Sequence, residues 1–109
     1  MRTHWGVIGL IMVSYVLVGC ITEDPTPAAR AVRLVREQSL VTQCRFIGEV
    51  KGGQTAPLIG AVEHTTDNAR TRIREDAVRQ GGNMVLITQQ TANVYGTWLH
   101  GEAYACPQQ

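Results

Sequence analysis

The sequence predicts a single α+β domain of order β-β-α-β-β: one four-stranded, mostly antiparallel sheet with one helix packed on one face. Three observations lead there. One segment, Thr65 to about Gln80, carries small apolar residues at helical spacing and stops at Gly81-Gly82-Asn83. The stretches on either side alternate apolar and polar residues at the two-residue period of strands. Two cysteines, Cys44 and Cys106, lie within the domain at positions that strand pairing can bring together.

The chain has 109 residues. It begins with a segment of another kind. Arg2 supplies a positive start, and Trp5 to Val18 is apolar apart from Gly6, Gly9 and Ser14. That run is shorter than the roughly 20 residues of a membrane-spanning helix and suits a secretory leader. It ends Leu17-Val18-Gly19-Cys20, which resembles the bacterial lipoprotein box. In that chemistry the thiol takes a diacylglycerol group, and the small Gly19 admits the peptidase that cuts before Cys20. Residues 1–19 are then the signal, residues 20–30 a lipidated, flexible tether, and residues 31–109 the periplasmic domain. Each buried methylene contributes about 0.8 kcal/mol, so several acyl chains on one residue hold firmly. Ile21 stands where Asp commonly retains lipoproteins in the inner membrane, so the expected location is the periplasmic leaflet of a bacterial outer membrane, with palmitate and diacylglycerol on Cys20.

Without Arg2 the basic and acidic side chains balance. No nucleic-acid partner is expected, and the membrane partner is reached through lipid rather than charge. A domain this small is marginal on its core alone. In an exported chain Cys44 and Cys106 read as a disulfide. Closing a loop of that length contributes about 4 kcal/mol in the chain-entropy description.

Each element has its own signal. Ile21 to Arg30 is polar with Pro25 and Pro27 and reads as extended. Ala31 to Glu37 alternates weakly and forms a first strand. Cys44 to Val50 forms a second, with Cys44, Phe46, Gly48 and Val50 on one face, and Lys51-Gly52-Gly53-Gln54 ends it. Residues 54–64 form a loop containing Pro57 and the apolar stretch Leu58 to Val62. Thr65-Thr66-Asp67 offers an N-cap and an acidic first turn. Ala69, Ile73 and Ala77 then make one stripe, with Arg72, Glu75 and Arg79 opposite and Glu75 placed to pair with Arg79. Met84 to Ile87 is a buried strand, more polar from Thr88 on, and Asn93 to Gly96 turns. Trp98 to Cys106 is the last strand, with His100, Glu102, Tyr104 and Cys106 on one face. Pro107 ends it. Pairing the second and fourth strands places the cysteines side by side and suggests the spatial order 1-2-4-3.

Several residues could carry chemistry. His100, Glu102 and Cys106, with Cys44 nearby, are metal-ligand types on one face, but in an oxidising compartment the cysteines pair and no metal is expected. Ser39, His64 and His100 form no recognisable nucleophile-and-base arrangement. Glu49 and Glu102 can face each other across paired strands, yet solvated strand positions are the commoner role. Gly52-Gly53 and Gly81-Gly82 are not phosphate loops. No catalytic residue, cofactor or small-molecule substrate is expected, and the chain reads as a non-enzyme. Tyr95 and Trp98, near the last turn, are candidate anchors for a protein partner of the outer membrane or periplasm. Arg70 and Arg74 form a second contact patch or a solvated helix flank.

A set of segments carries a likeness. Val32-Arg33-Leu34-Val35 with Glu37-Gln38, Cys44-x-x-Ile47-Gly48, Ala69-x-x-x-Ile73-Arg74-x-x-Ala77 into Gly81-Gly82-Asn83, and Gly101-Glu102-Ala103-Tyr104-Ala105-Cys106-Pro107 together resemble the YjeI-like family of small bacterial lipoproteins, a domain of unknown function. More distantly the pattern is similar to RcsF-type envelope-stress sensors. That likeness implies outer-membrane anchoring and sensing or protein contact in the periplasm. Two features depart from the RcsF type: this chain has cysteines for one disulfide rather than two, and its tether is short. The expected function is that of a non-catalytic envelope accessory or interaction module, with an RcsF-like sensor and a metal-dependent or hydrolytic periplasmic enzyme as the alternatives.

Overall fold

The structure, a computed structural model, describes residues 25–107. The leader, Cys20 and the start of the tether lie outside the described residues. In chain order the elements are α1 (Pro27–Ala31), β1 (Arg33–Val35), a 3-10 turn (Gln38–Val41), β2 (Arg45–Thr55), α2 (Thr65–Gln80), β3 (Met84–Asn93) and β4 (Gly96–Ala105). The four strands form one mixed sheet in the order β1-β3-β4-β2, with α2 packed on one face.

That face carries the main core. Ala69, Ile73 and Ala77 of α2 are wholly buried and meet Val50, Val85, Ile87, Leu99 and Ala103 of the sheet. The stripe predicted from spacing is therefore the one that packs. Its small residues bring the helix unusually close: a Cβ on Gly52 would stand 2.4 Å from the Ile73 backbone nitrogen and 2.5 Å from the Ala69 carbonyl oxygen. Gly52 is where the backbone of the helix rests on the backbone of the sheet. This corrects the expectation that Lys51-Gly52-Gly53-Gln54 ends β2; the strand continues to Thr55. Glycines that resemble a turn are here a seat.

A smaller cluster covers part of the opposite face: Val35, Val41, Met84, Leu86 and Tyr104, with the half-buried Cys44 and Cys106 against it. Cys44 and Cys106 are joined by a disulfide, with their Cα atoms 4.3 Å apart. Phe46 stacks edge-on against Tyr104, ring centroids 5.7 Å apart. Strict alternation puts Phe46 on the face of Gly48 and Val50. The register shifts between Phe46 and Gly48, and this bulge turns Phe46 to the other face, because one extra residue inverts the side-chain alternation.

The strand order 1-2-4-3 is also corrected. β2 and β4 are antiparallel neighbours, as are β3 and β4, but β1 lies parallel to β3, with Arg33 opposite Met84. The disulfide constrains β2 against β4 and leaves β1 free to choose its edge. Met84 to Ile87 is buried on both faces, Val85 and Ile87 under α2 and Met84 and Leu86 under the smaller cluster. β2 carries Arg45, Glu49 and Lys51 exposed and forms an edge. Two side chains of α2 bond the backbone of that edge strand: Asp76 Oδ2 accepts from the Lys51 N–H at 3.1 Å, and Gln80 Nε2 donates to the Glu49 carbonyl at 3.1 Å.

At the other end of α2, Thr65 is the first helical residue and His64 the cap, with no side-chain capping bond. Gly81 takes the left-handed conformation at φ +93°, and its N–H and that of Gly82 close the last turn on Val78 and Ala77. Asn83 then extends the sheet with its side chain. Its Oδ1 accepts from the Cys106 N–H at 2.7 Å and its Nδ2 donates to the Cys106 carbonyl at 2.8 Å. Residues 27–30, read as extended tether, and Ala31, read as the start of the first strand, are helical instead: Thr26 Oγ1 caps the Ala29 N–H at 3.2 Å, Pro27 starts the turn, and Ala29 is wholly buried.

Gly52→Ala should lower stability by about 2–3 kcal/mol, about 10–20 °C in Tm for a domain of this size, because helix backbone is what must move. Gly53→Ala should cost less than Gly52→Ala, since its new Cβ would stand 2.5 Å from Trp98 Cδ1, and a side chain on the open side of the sheet rather than helix backbone is what must move. Thermal unfolding of the two variants side by side checks the contrast.

Candidate functional site

The chain turns at both ends of the sheet, and the two ends differ. One holds the disulfide, Asn83 and the 3-10 turn. The other holds the β3–β4 hairpin tip, the loop 56–64 and the start of α2. Among the described residues, the largest group of exposed apolar side chains lies at this second end: Leu58, Ile59, Val62, Val94 and Tyr95, of which Leu58 and Ile59 are 75% and 78% exposed and Tyr95 58%.

Hydrogen bonds hold the backbone that carries these side chains. Asn93 Oδ1 accepts from the Tyr95 N–H at 2.8 Å and shapes the tip. The tip carbonyls then bind the neighbouring loop: Ala56 N–H donates to Tyr95 at 2.7 Å and Gly60 N–H to Val94 at 2.9 Å. Gly60 has φ +88°, a left-handed conformation that suits glycine. Below the loop, Thr65 Oγ1 donates to the Val62 carbonyl at 3.0 Å and lies 2.9 Å from the buried Thr97 Oγ1, which Thr66 Oγ1 also approaches at 3.2 Å. The apolar cluster is thus bonded to both the helix and β4. Apolar side chains on a hydrogen-bonded backbone at a domain end can bury against a partner without first losing much backbone entropy.

The sequence placed one of these residues, Tyr95, among its candidates. It passed over Leu58, Ile59, Val62 and Val94. The available signal was an apolar stretch inside a loop: Leu58 to Val62 has neither helical nor strand period, follows Pro57 and is interrupted by Gly60, so no regular element buries it. Trp98 belongs elsewhere. It is half-buried on the face opposite α2, over Gly53 and beside His100, and lies in neither core cluster.

The other candidates separate. His100 and Glu102 share the open face, but Cys106 is bonded to Cys44 and offers no thiolate; among the described residues no cluster of three metal-ligand types forms. Glu49 and Glu102 are register partners across β2 and β4. Burial, and then the neighbouring Glu102 carboxylate, push the Tyr104 hydroxyl up from its ordinary range. Ser39 is exposed in the 3-10 turn at the disulfide end, whereas His64 caps α2 at the tip end. Gly81-Gly82 terminates α2. Arg70 lies 3.8 Å from Asp67, Arg74 Nε donates to the Val32 carbonyl at 3.2 Å, and Arg79 pairs with Asp76 rather than with Glu75.

Beside the seat of the helix a shallow cavity of about 600 Å³ runs along the β2 edge, lined by Lys51, Arg72, Glu75, Asp76, Arg79 and Trp98 among others. Asp76 is its pivot. Burial raises its pKa, but the Lys51 N–H and the Arg79 guanidinium outweigh this and hold the carboxyl below its ordinary value.

In comparison with known proteins, a family model described as a domain of unknown function (DUF4156) matches residues 23–106. No curated protein matches the chain.

The Asp76 contact should make stability acid-sensitive. Its folded pKa lies below its ordinary value of 3.8, so its contribution is complete above about pH 4 and is lost as pH falls through the folded value. Asp76→Asn should be less stable than the natural chain at neutral pH and approach it below about pH 4. Urea unfolding across that range measures the convergence; parallel curves would contradict it.

Proposed function

We propose that this chain, which belongs to the family described as a domain of unknown function (DUF4156), is a lipid-anchored outer-membrane lipoprotein that acts as a non-catalytic interaction module in the periplasm. The observation that carries this reading is the exposed apolar group of Leu58, Ile59, Val62, Val94 and Tyr95 on the hydrogen-bonded backbone of the hairpin tip and its loop. A partner protein docks there. Tyr95 is the natural anchor, since an aromatic ring with a polar tip contributes much contact area at small entropic cost.

The anchoring half rests on Leu17-Val18-Gly19-Cys20. Lipid on Cys20 and a few intervening residues keep the domain within about 30 Å of its membrane, at about 3.3 Å per extended residue. Residues 27–31 shorten that reach further, because they form α1. Kinship to YjeI-like lipoproteins, and more remotely to RcsF-type sensors, belongs to the same proposal. Its structural support is α2 ending at Gly81-Gly82-Asn83 and running directly into the buried β3.

Two measurements test the two halves. Cys20→Ser should lose palmitate incorporation and leave the outer-membrane fraction; retention there without lipid would make a protein contact the anchor. A photo-crosslinking residue at Tyr95 or Ile59, introduced in the native host, should capture a discrete envelope protein. The same residue at exposed Glu75 on α2 should not, and equal capture from both positions would remove the tip's special status.

A further inference from the structure

A second site lies on the flank of α2, away from the tip. Between that flank, the end of β1 and the middle of β3 is a cavity of about 210 Å³ lined by Leu34, Arg36, Arg70, Arg74, Ile87 and Leu99. Its composition is unusual. Three guanidinium-bearing residues surround it, and the rest of its wall is apolar. Ile87 and Leu99 are almost completely buried, and Leu34 is half-buried against the core.

The arginines meet there because of the fold. Arg70 and Arg74 are four apart on α2 and share its flank. Arg36 follows directly on β1, whose parallel pairing with β3 carries it to Gln90, where its guanidinium donates to Oε1. Had β1 lain beside β2, Arg36 would be at the opposite edge of the sheet.

The charges there are weakly compensated. No carboxylate lines the cavity. Asp67, one turn up the helix, stands 3.8 Å from Arg70 and is 77% exposed, so solvent weakens that pair. Arg74 is steadied through its Nε by the Val32 carbonyl and Arg36 by Gln90, both neutral groups. A guanidinium has five N–H donors, so one bond leaves most of them free. Like charges four apart on a helix also oppose each other.

We propose that this cavity binds a small organic oxyanion, a carboxylate or phosphate monoester carrying a short alkyl group. The guanidinium forks match the paired oxygens of either headgroup. The apolar wall takes the alkyl part. The volume lies below the roughly 300 Å³ at which pockets for drug-sized ligands begin, which sets the class as short-chain. The proposal is independent of the hairpin tip and stands whether or not a protein docks there.

The test is a titration of the isotope-labelled full chain, held in a neutral detergent micelle, followed through arginine Nε–Hε signals in NMR spectra. The probes are butyrate and butyl phosphate, with acetate and inorganic phosphate as headgroups lacking the alkyl part. Butyrate or butyl phosphate should saturate at about millimolar concentration and shift the Arg36, Arg70 and Arg74 signals. Which of the two binds tighter identifies the natural headgroup. Acetate and inorganic phosphate should bind about tenfold more weakly, through loss of the methylene contacts. Arg36→Gln and Arg70→Gln, both at exposed positions, should each weaken binding, and the double variant by about tenfold or more, with the remaining backbone signals unmoved. Absence of saturable shifts with either alkyl probe would overturn the proposal. So would equal affinity for acetate and butyrate, or undiminished binding by the folded double variant.

Discussion

The α2 backbone rests directly on the β2 backbone at Gly52. Most of the architecture depends on it. Because Gly52 has no side chain, the small stripe Ala69, Ile73 and Ala77 can settle onto Val50, Val85, Leu99 and Ala103 with no gap. Dense packing of this kind forfeits contacts steeply when surfaces separate by even a fraction of an ångström. The same proximity lets Asp76 and Gln80 reach the backbone of the edge strand. At the first turn of the helix it lets Thr65 and Thr66 reach Thr97.

From that seat the two ends of the sheet acquire separate characters. At one end the disulfide, the Asn83 amide and the Phe46–Tyr104 pair tie β2, β3 and β4 together. This end is stiffened covalently. At the other, the Thr65–Thr97 contact and the bonds from Ala56 and Gly60 hold an apolar loop against the hairpin tip. A covalent staple at one end and a presented apolar cluster at the other suit a module whose partner surface stands away from its fixed end. The arginine-lined cavity on the α2 flank belongs to neither end and follows from where β1 pairs.

Much of the fold was legible in the sequence where a signal was repeated. The α2 stripe had three residues in phase and an unambiguous glycine stop, and the helix bounds follow it closely. The failures share a physical origin in single residues. One extra residue at the β2 bulge reversed the facing of Phe46, which alternation cannot foresee. Gly52 and Gly53 carry the same composition as a turn, and only the proximity of Ala69 and Ile73 shows why glycine is needed at Gly52. β1 is three residues long, too short to state its partner. At the hairpin tip Tyr95 was legible as an exposed aromatic. Leu58 and Ile59 were hidden because an apolar stretch ordinarily signals burial.

The central claim is that the helix seat holds the hairpin tip and its loop as a preformed surface. Amide hydrogen exchange at Ala56 and Gly60, whose N–H groups bond the tip carbonyls, tests it most directly. In the natural chain both amides should exchange at least about a hundredfold more slowly than in an open chain, and loosening the seat at Gly52 should reduce that protection. Exchange of Ala56 and Gly60 at the open-chain rate while Ile73 and Leu99 stay protected would contradict it: the core would be formed and the tip would not be part of it.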